Sequence, residues 1–404
     1  MFSLNKKYIF YGGSIVVSRG LEYIVLFFAA HFLSKNDYGE LEYYKKFVEV
    51  GSNILAFGFP ALILSYTKSK ESKVYFYLLS ILFVLGLCLL FSILGFYDPI
   101  WFLLIPALTF YALYFNGGIA QSYQIVHLGS NYASLYKTII SILFFGSVFV
   151  GIYFFSVRGK AYIYPSLCLL PIALIYSYLD LKKSGIEIRK IKKYWNLFKK
   201  LLQNSFTLVV SNFANFMFLY TDIFVIKILS DSANTEIADF SFALNVVSVL
   251  LIVSMTLIQV DIEKLKNQSR YLFILQKRIL ILTTLLSLLL VIIYYIMINS
   301  KFYLNFNETF ILFLIILIGK IFSSQANLYG TYLIILKKFK LNLSINLISL
   351  ILNMLACWLG YRLYGLIGLG IASSSMLIIR CMTLFYFNKK YINPESGVSK
   401  PTKL

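Results

Sequence analysis

Arg19 and Glu22 stand three residues apart inside the apolar run SIVVSRGLEYIVLFFAAHFL, residues 14–33. On a helix this spacing puts guanidinium and carboxylate on one face, where they can pair. A charge near the centre of a membrane-spanning helix costs about 2.5–3.5 kcal/mol on insertion scales, so such residues usually face a bundle interior or a wet cavity. Further polar sets recur along the chain. Glu42, Lys46 and Glu49 form one stripe, with Asn53 a turn further on. Asn212, Asn215 and Asp222 share a face, as do Lys320, Ser323 and Asn327. Asn346 and Asn353 are seven apart, and Arg380 lies in the last apolar stretch. The chemistry on offer is binding of an anion by Arg19, Lys46, Lys320 and Arg380, with Asn212, Asn215 and Asn327 as hydrogen-bonding groups. Glu22, Glu49 and Asp222 could titrate or bind a cation once desolvated.

Most of these sets also have a purely structural explanation. Arg19 and Glu22 can neutralise each other. Glu42, Lys45 and Lys46 begin near an expected boundary and can snorkel to it. The asparagines can serve interhelical hydrogen bonds, and Arg380 can reach headgroups. Lys320 resists such an account, being roughly 15 Å from the inner end of its span at the usual helical rise. Asp222 has no cation on its own helix face. His31 and His127 sit at span ends and are read as incidental. The sequence contains no cluster with metal-ligand spacing, no phosphate-binding glycine loop and no nucleophile with a base, so no catalytic residue, metal or cofactor is expected.

The elements that position these residues must be transmembrane helices. Of 404 residues, 59% are hydrophobic and only 13% charged, with 37 Phe and 32 Tyr, against roughly 25% charged in soluble domains. Apolar runs near the 20 residues needed to cross the hydrocarbon recur throughout. Spans are placed at 8–33, 40–66, 74–96, 100–126, 132–156, 161–180, 204–230, 236–260, 273–298, 310–336, 341–361 and 366–388. The net charge of +20 does not imply nucleic acid. With the N-terminus inside, 26 of the 37 Lys and Arg fall in inside segments, 6 outside and 5 within spans. That asymmetry is the positive-inside rule and puts both termini in the cytoplasm. The first apolar stretch is expected to remain as an uncleaved anchor. The four cysteines all fall in spans and suggest no disulfide framework.

One loop is long and basic, LKKSGIEIRKIKKYWNLFKK at 181–200. It divides the chain into a six-helix lobe at 1–180, a linker at 181–203, a second six-helix lobe at 204–390 and a tail at 391–404. The linker reads as an interfacial helix on anionic headgroups or as a docking site for a partner enzyme. The halves are weakly alike. Aligning SIVVSRGLEY with SFTLVVSNFANF sets Asn212 opposite Arg19 and Asn215 opposite Glu22, and LSKNDYGEL resembles LSDSANTEIADF. Such repeats favour a transporter whose site lies at the repeat interface. Gly58, Pro60, Pro106 and Pro171 interrupt spans and are read as hinges, since proline removes a backbone hydrogen bond and kinks a helix.

HFLSKNDYGELEYY followed by FGFPALILSYTK, with a basic residue in span one, resembles the Wzx-type polysaccharide and O-antigen flippases of the multidrug/oligosaccharidyl-lipid/polysaccharide exporter superfamily. SNFANFMFLYTDIFVIKILSDSANTEIADFSFA (211–243) resembles the start of their second lobe. One departure is Ile223, where the family often has a basic residue after the span-seven Asp. The resemblance implies an all-α V-shaped bundle of about twelve helices in two lobes. It implies a multi-pass flippase of the bacterial inner membrane that moves an undecaprenyl-pyrophosphate-linked oligosaccharide, an O-antigen or capsule unit, to the outer leaflet by alternating access. Arg19 would then contact pyrophosphate with Glu22 tuning it, and H+ or Na+ would drive the cycle. Membrane lipids and other enzymes of the glycan pathway would be its partners. A cation-coupled drug exporter of the same fold is the first alternative, although Arg19 suits an anion better than a cationic drug. The peptidoglycan-precursor flippase is expected to have fourteen spans. A membrane glycan polymerase is the last alternative and would want a large outside segment.

Overall fold

The computed structural model describes residues 6–65, 70–115, 118–268 and 271–392; the end of the expected tail, from residue 393, lies outside them. The described chain is helical, with no strand among these residues. It divides into two compact units, Met1–Phe216 and Met217–Leu404.

The first unit holds α1 (Lys6–Phe32), α2 (Lys35–Leu55), α3 (Phe59–Ser65), α4 (Lys70–Phe91), α5 (Ile100–Leu113), α6 (Ile119–His127), α7 (Ser130–Phe154) and α8 (Pro165–Lys183), with short 3-10 turns at Ser92–Phe96 and Gly159–Tyr162. Helix α1 packs along α7, and α2 packs on α5 and on the Gly159–Tyr162 turn. Helix α9 (Ile188–Leu229) begins in this unit and ends in the second, which continues with α10 (Ala233–Val260), α11 (Ile262–Asn267), α12 (Tyr271–Ile298), α13 (Phe310–Ile335) and α14 (Phe339–Ile392). There α13 packs against α10, α12 and α14. The twelve expected spans correspond to α1, α2 with α3, α4, α5 with α6, α7, α8, the later part of α9, α10, α12, α13 and the two arms of α14. Among the described residues, eight stretches are long and apolar enough to cross a membrane on their own, the bent α14 counting as one. Helix α2 is not among them because its charges dilute its apolarity.

Helix boundaries follow local chemistry. The Ser34 hydroxyl accepts from the Asp37 backbone N–H at 3.1 Å and donates to its carboxylate at 2.7 Å, fixing the start of α2. The Ser232 hydroxyl donates to Glu236 at 3.2 Å at the start of α10 but caps no backbone N–H, so the two similar sequence stretches start their helices differently. The expected second span is broken. Phe57 and Gly58 have φ of 43° and 70°, which ends α2, and α3 starts afresh at Phe59. Pro60 falls in the first turn of α3, where its missing N–H leaves no helical bond unmade. Pro106 and Pro171 instead lie inside α5 and α8, which continue through them.

The stretch 181–203 differs from a simple linker. Lys183 ends α8, and α9 starts at Ile188, with neither Gly nor Pro to interrupt it before Leu229. Its early turns pack on the first unit. Tyr194 stacks on Tyr75 at 4.6 Å between ring centres, and Phe198 stacks on Phe59 at 5.2 Å. Lys190 pairs with Glu71 and Glu187, each at 2.9 Å, which holds its ammonium above the ordinary lysine range.

In the second unit, α14 bends at Tyr364 and Gly365, the latter at φ 59° and ψ −141°. A Cβ at Gly360 would stand 2.6 Å from the Gly368 carbonyl oxygen, so the arms meet backbone to backbone. Close approach through small residues is how apolar helices gain packing in a membrane. Such a backbone at position 365 is nearly exclusive to glycine, and forcing another residue into it costs of order 1–3 kcal/mol. Gly365→Ala should therefore lower the melting temperature in detergent by several degrees. Gly86→Ala, where a Cβ meets nothing within 4 Å, should melt like the wild type in the same thermal unfolding series.

Candidate functional site

Two buried polar clusters stand out, one in each unit. In the first unit, Ser18 of α1 and Ser141 of α7 share a hydrogen bond of 2.7 Å between hydroxyls. This fixes α1 against α7 one residue before Arg19. The Arg19 guanidinium donates to Glu22 Oε2 at 2.6 Å. The other carboxylate oxygen, Oε1, pairs with Lys45 Nζ of α2 at 2.9 Å. Glu22 thus clamps cations from two helices.

The stripe on α2 faces the protein. Glu42, Lys45, Lys46 and Glu49 are all buried, so they do not snorkel to a boundary. Tyr38 donates to Glu42 at 3.3 Å, and Lys46 pairs with Glu49 at 3.5 Å. Asn53 turns back on its own helix and donates to the Glu49 carbonyl at 2.7 Å. Lys46 lies in electrostatic reach of Glu49, Glu42, Glu22 and Arg19. Lys137 of α7, half-buried beside Ser18 and Ser141 in a small cleft, lies within electrostatic range of Arg19 and Glu22. Four cations, Arg19, Lys45, Lys46 and Lys137, therefore face three carboxylates, Glu22, Glu42 and Glu49. Arg19 is the open member, with its side chain 47% exposed against 2% for Lys45.

In the second unit the centre is Asp222, buried on α9. It accepts from Ser373 Oγ at 3.0 Å and from Cys357 Sγ at 3.3 Å. Cys357 also lies 3.4 Å from Asn353 Oδ1, and Asn353 donates to the Phe218 carbonyl at 3.1 Å. Cys357 belongs to the first arm of α14 and Ser373 to the second, so one carboxylate ties both arms across the Tyr364–Gly365 bend. Lys320, buried on α13, supplies positive charge to Asp222 through space. Arg380 sits apart from this group. Its guanidinium donates to Asn346 Oδ1 at 2.8 Å and lies 4.7 Å from the centre of the Phe218 ring.

The remaining residues singled out in the sequence fall elsewhere. Asn212 is exposed, and Asn215 and Asn327 are half-buried. Asn212 and Asn215 lie in the first unit's share of α9, Asp222 in the second's. Gly58 and Pro60 flank the break between α2 and α3. Sequence reasoning took Lys45 to snorkel to a boundary and gave no site role to Lys137, Cys357 or Ser373. Lys45 carried a readable signal, since it is three residues from Glu42 and four from Glu49, on the same stripe as Lys46. Lys137 lies more than a turn inside α7, with no charged residue near it in sequence to mark it. Nothing in the spacing of Cys357 or Ser373 pointed to Asp222, because the bend in α14 brings them together.

The model of the polysaccharide biosynthesis protein family matches residues 4–262. No curated protein sequence matches the chain. Among solved structures, the chain is similar to the lipid II flippase MurJ in an inward closed conformation, with a TM-score of 0.63 and 16% identity over 94% of this chain and 87% of that one. It is similar to an inward-facing multidrug resistance MATE family transporter of the MOP superfamily, with a TM-score of 0.56 and 12% identity over 98% and 97%. A MOP superfamily transporter from Pyrococcus furiosus gives 0.57 and 12% over 97% of both chains. At these identities the likeness establishes the fold, a helical membrane transporter fold of about twelve helices. The chain belongs to the polysaccharide biosynthesis protein family, as a multi-pass membrane protein with the fold of MATE transporters and MurJ.

Proposed function

We propose that the protein is a flippase that carries an undecaprenyl-pyrophosphate-linked oligosaccharide from the inner to the outer leaflet of a bacterial inner membrane by alternating access. The observation that carries this reading is the cluster around Glu22, where four cations face three carboxylates and the open one is an arginine. A guanidinium presents a planar fork that matches phosphate oxygens in bidentate fashion. Glu22 holds that fork in place from behind, so the donors that do not face Glu22 are left for a ligand. An excess of positive charge suits a diphosphate and disfavours a cationic drug. The family match to polysaccharide biosynthesis supports the same substrate class.

Coupling to H+ or Na+ is assigned to Asp222, with Glu22 and Glu49 held by lysines in the other unit. A cation arriving at Asp222 would compete with the Ser373 and Cys357 hydrogen bonds and weaken the pull on Lys320. Since those bonds span the bend in α14, occupancy would change how its two arms are held. The break at Phe57–Gly58 and the prolines at 60, 106 and 171 are the other places where the helices could flex. Other enzymes of the glycan pathway would supply the lipid-linked unit and use it.

The decisive measurement is the leaflet location of lipid-linked oligosaccharide in cells lacking the protein, then with it restored. Accumulation on the inner leaflet, relieved by the wild type, is expected. Passage to the outer leaflet without the protein, leaving unpolymerised units there, would instead favour a polymerase. Arg19→Ala, expressed at the normal level, should lower translocation at least tenfold, and Arg19→Lys should retain part of it. Glu22→Gln should act first on stability, because it strands Lys45 in the interior; breaking a buried pair in this way costs about 3–5 kcal/mol. A lower yield and melting temperature in detergent are the readouts. Asp222→Asn should fold, still bind lipid-linked oligosaccharide, and lose the response of transport to an imposed proton or sodium gradient. An unchanged response would remove Asp222 from the coupling step.

A further inference from the structure

The early turns of α9 carry two opposed faces. Tyr194 and Phe198 are buried against the first unit, and Lys190 on the same side is held by Glu71 and Glu187. At about 100° per residue, Arg189, Lys192, Lys193, Lys199 and Lys200 fall on the opposite side of the helix, and all five are exposed. Trp195 and Leu197, 39% and 44% exposed, lie on the two flanks of this basic stripe. The sequence has no acid between Glu187 and Asp222. Among the described residues, Lys190 is the one cation in the first four turns of α9 that an acid pairs.

Aromatic contacts set the level of the stripe. Tyr194 stacks on Tyr75, and the Phe198 ring centre lies 5.9 Å from that of Phe76 and 6.4 Å from that of Phe83. Helix α4 starts with Glu71 and Lys73 and turns apolar from Val74, so Tyr75 to Phe83 are the turns by which that helix enters hydrocarbon. The stripe thus runs beside the entry of a span, at the start of a helix that itself goes on into the span Val209–Leu229. Lys199 turns back toward the helix start, its Nζ 5.9 Å from the centre of the Trp195 ring. A long cationic side chain rooted below the boundary reaches back to it in this way, and tryptophan favours the same boundary.

We propose that this face docks the headgroups of anionic phospholipids, with their phosphates along the basic stripe and Trp195 and Leu197 in the lipid beside it. The proposal does not depend on what the protein transports. Level selects a bilayer over an acidic protein, because a protein partner needs the stripe clear of the membrane and the contacts of Phe198 hold it against the entry of α4. A charged centre with apolar flanks matches the border between headgroups and acyl chains. Charge selects anionic over zwitterionic headgroups, since five cations without an acid offer nothing to the amine of a zwitterion. The charge asymmetry of the sequence assigns this end to the cytoplasmic side, where the leaflet potential attracts juxtamembrane cations.

Trp195 is a native reporter once the other two tryptophans are replaced by Trp101→Phe and Trp358→Phe. The full-length protein with these two changes would be placed in mixed vesicles of phosphatidylglycerol and phosphatidylcholine, with bromine on the acyl chains of one lipid at a time. Contact quenching of Trp195 fluorescence then reads the relative affinity of the two lipids for this face. A preference of about fivefold or more for phosphatidylglycerol is expected, falling below about twofold with Arg189→Gln, Lys192→Gln, Lys193→Gln, Lys199→Gln and Lys200→Gln together. The melting temperature should not change. Lys192→Gln with Lys199→Gln alone should remove part of the preference, which keeps the test sound if the fivefold variant folds poorly. Equal quenching by both lipids, or a preference that survives neutralisation in a folded variant, would overturn the proposal. Quenching by neither lipid would also overturn it, by placing the face off the bilayer and leaving it to a protein partner.

Discussion

Glu22 is bonded to Arg19 on its own helix and to Lys45 on the next, and much of the first unit is arranged around that fact. An ion taken out of water into a low-dielectric interior carries a penalty of several kcal/mol even after relaxation. A lone carboxylate on α1 would not be tolerated there. Lys45 must come from α2, and α2 must then pack with its charged stripe inward, so Glu42, Lys46 and Glu49 are buried with it. The Ser18–Ser141 bond sets α1 against α7 at the same level. One buried charge thus recruits a network in which each member lowers the cost of the others.

The second unit solves the same problem with less charge. Asp222 is served by a thiol and a hydroxyl from two arms of one bent helix, with Lys320 acting through space. The bend depends on Gly365, and the close approach of the arms on Gly360 and Gly368. Polar ligation and backbone shape are consequently linked. A carboxylate that spans a bend is sensitive to its own charge state in a way that a carboxylate on straight, rigid helices is not.

How much of this was legible in the sequence differs between fold and site. Apolar runs and short polar connections place the helices, because each crossing must satisfy its backbone internally over a fixed thickness. The pairing of Arg19 with Glu22 follows from a spacing of three. What escaped depended on contacts between helices. Lys45 and Lys46 are adjacent, and only the packing of α2 on α1 decides which of them meets Glu22. Cys357 and Ser373 are sixteen positions apart, in different spans, and helical spacing within a span cannot say that the two meet at Asp222. The helical continuation from 188 into the membrane also escaped, because basic residues read as a boundary although nothing in 188–229 breaks a helix. The breaks at Gly58 and Gly365 show the converse. Pro60 marks Gly58 as a break, and Gly365 lies in the short connection at 362–365 that the expected spans leave between them, where the bend in α14 falls.

A site that must release what it binds cannot simply accumulate cations. Two unit charges 4 Å apart attract by about 4 kcal/mol at an effective dielectric constant of 20. Four unopposed cations around a diphosphate, at about 4 kcal/mol each, would exceed the roughly 12 kcal/mol of a nanomolar complex, and a carrier that tight would hold its cargo in either leaflet. Three carboxylates among the four cations reduce the attraction without removing the geometry. They also keep Lys45 and Lys46 occupied when no ligand is present, so Arg19 and the half-buried Lys137 remain as the adaptable contacts. On this view the acids do not compromise an anion site. If the cluster receives a diphosphate as proposed, they lower its affinity toward what a carrier needs.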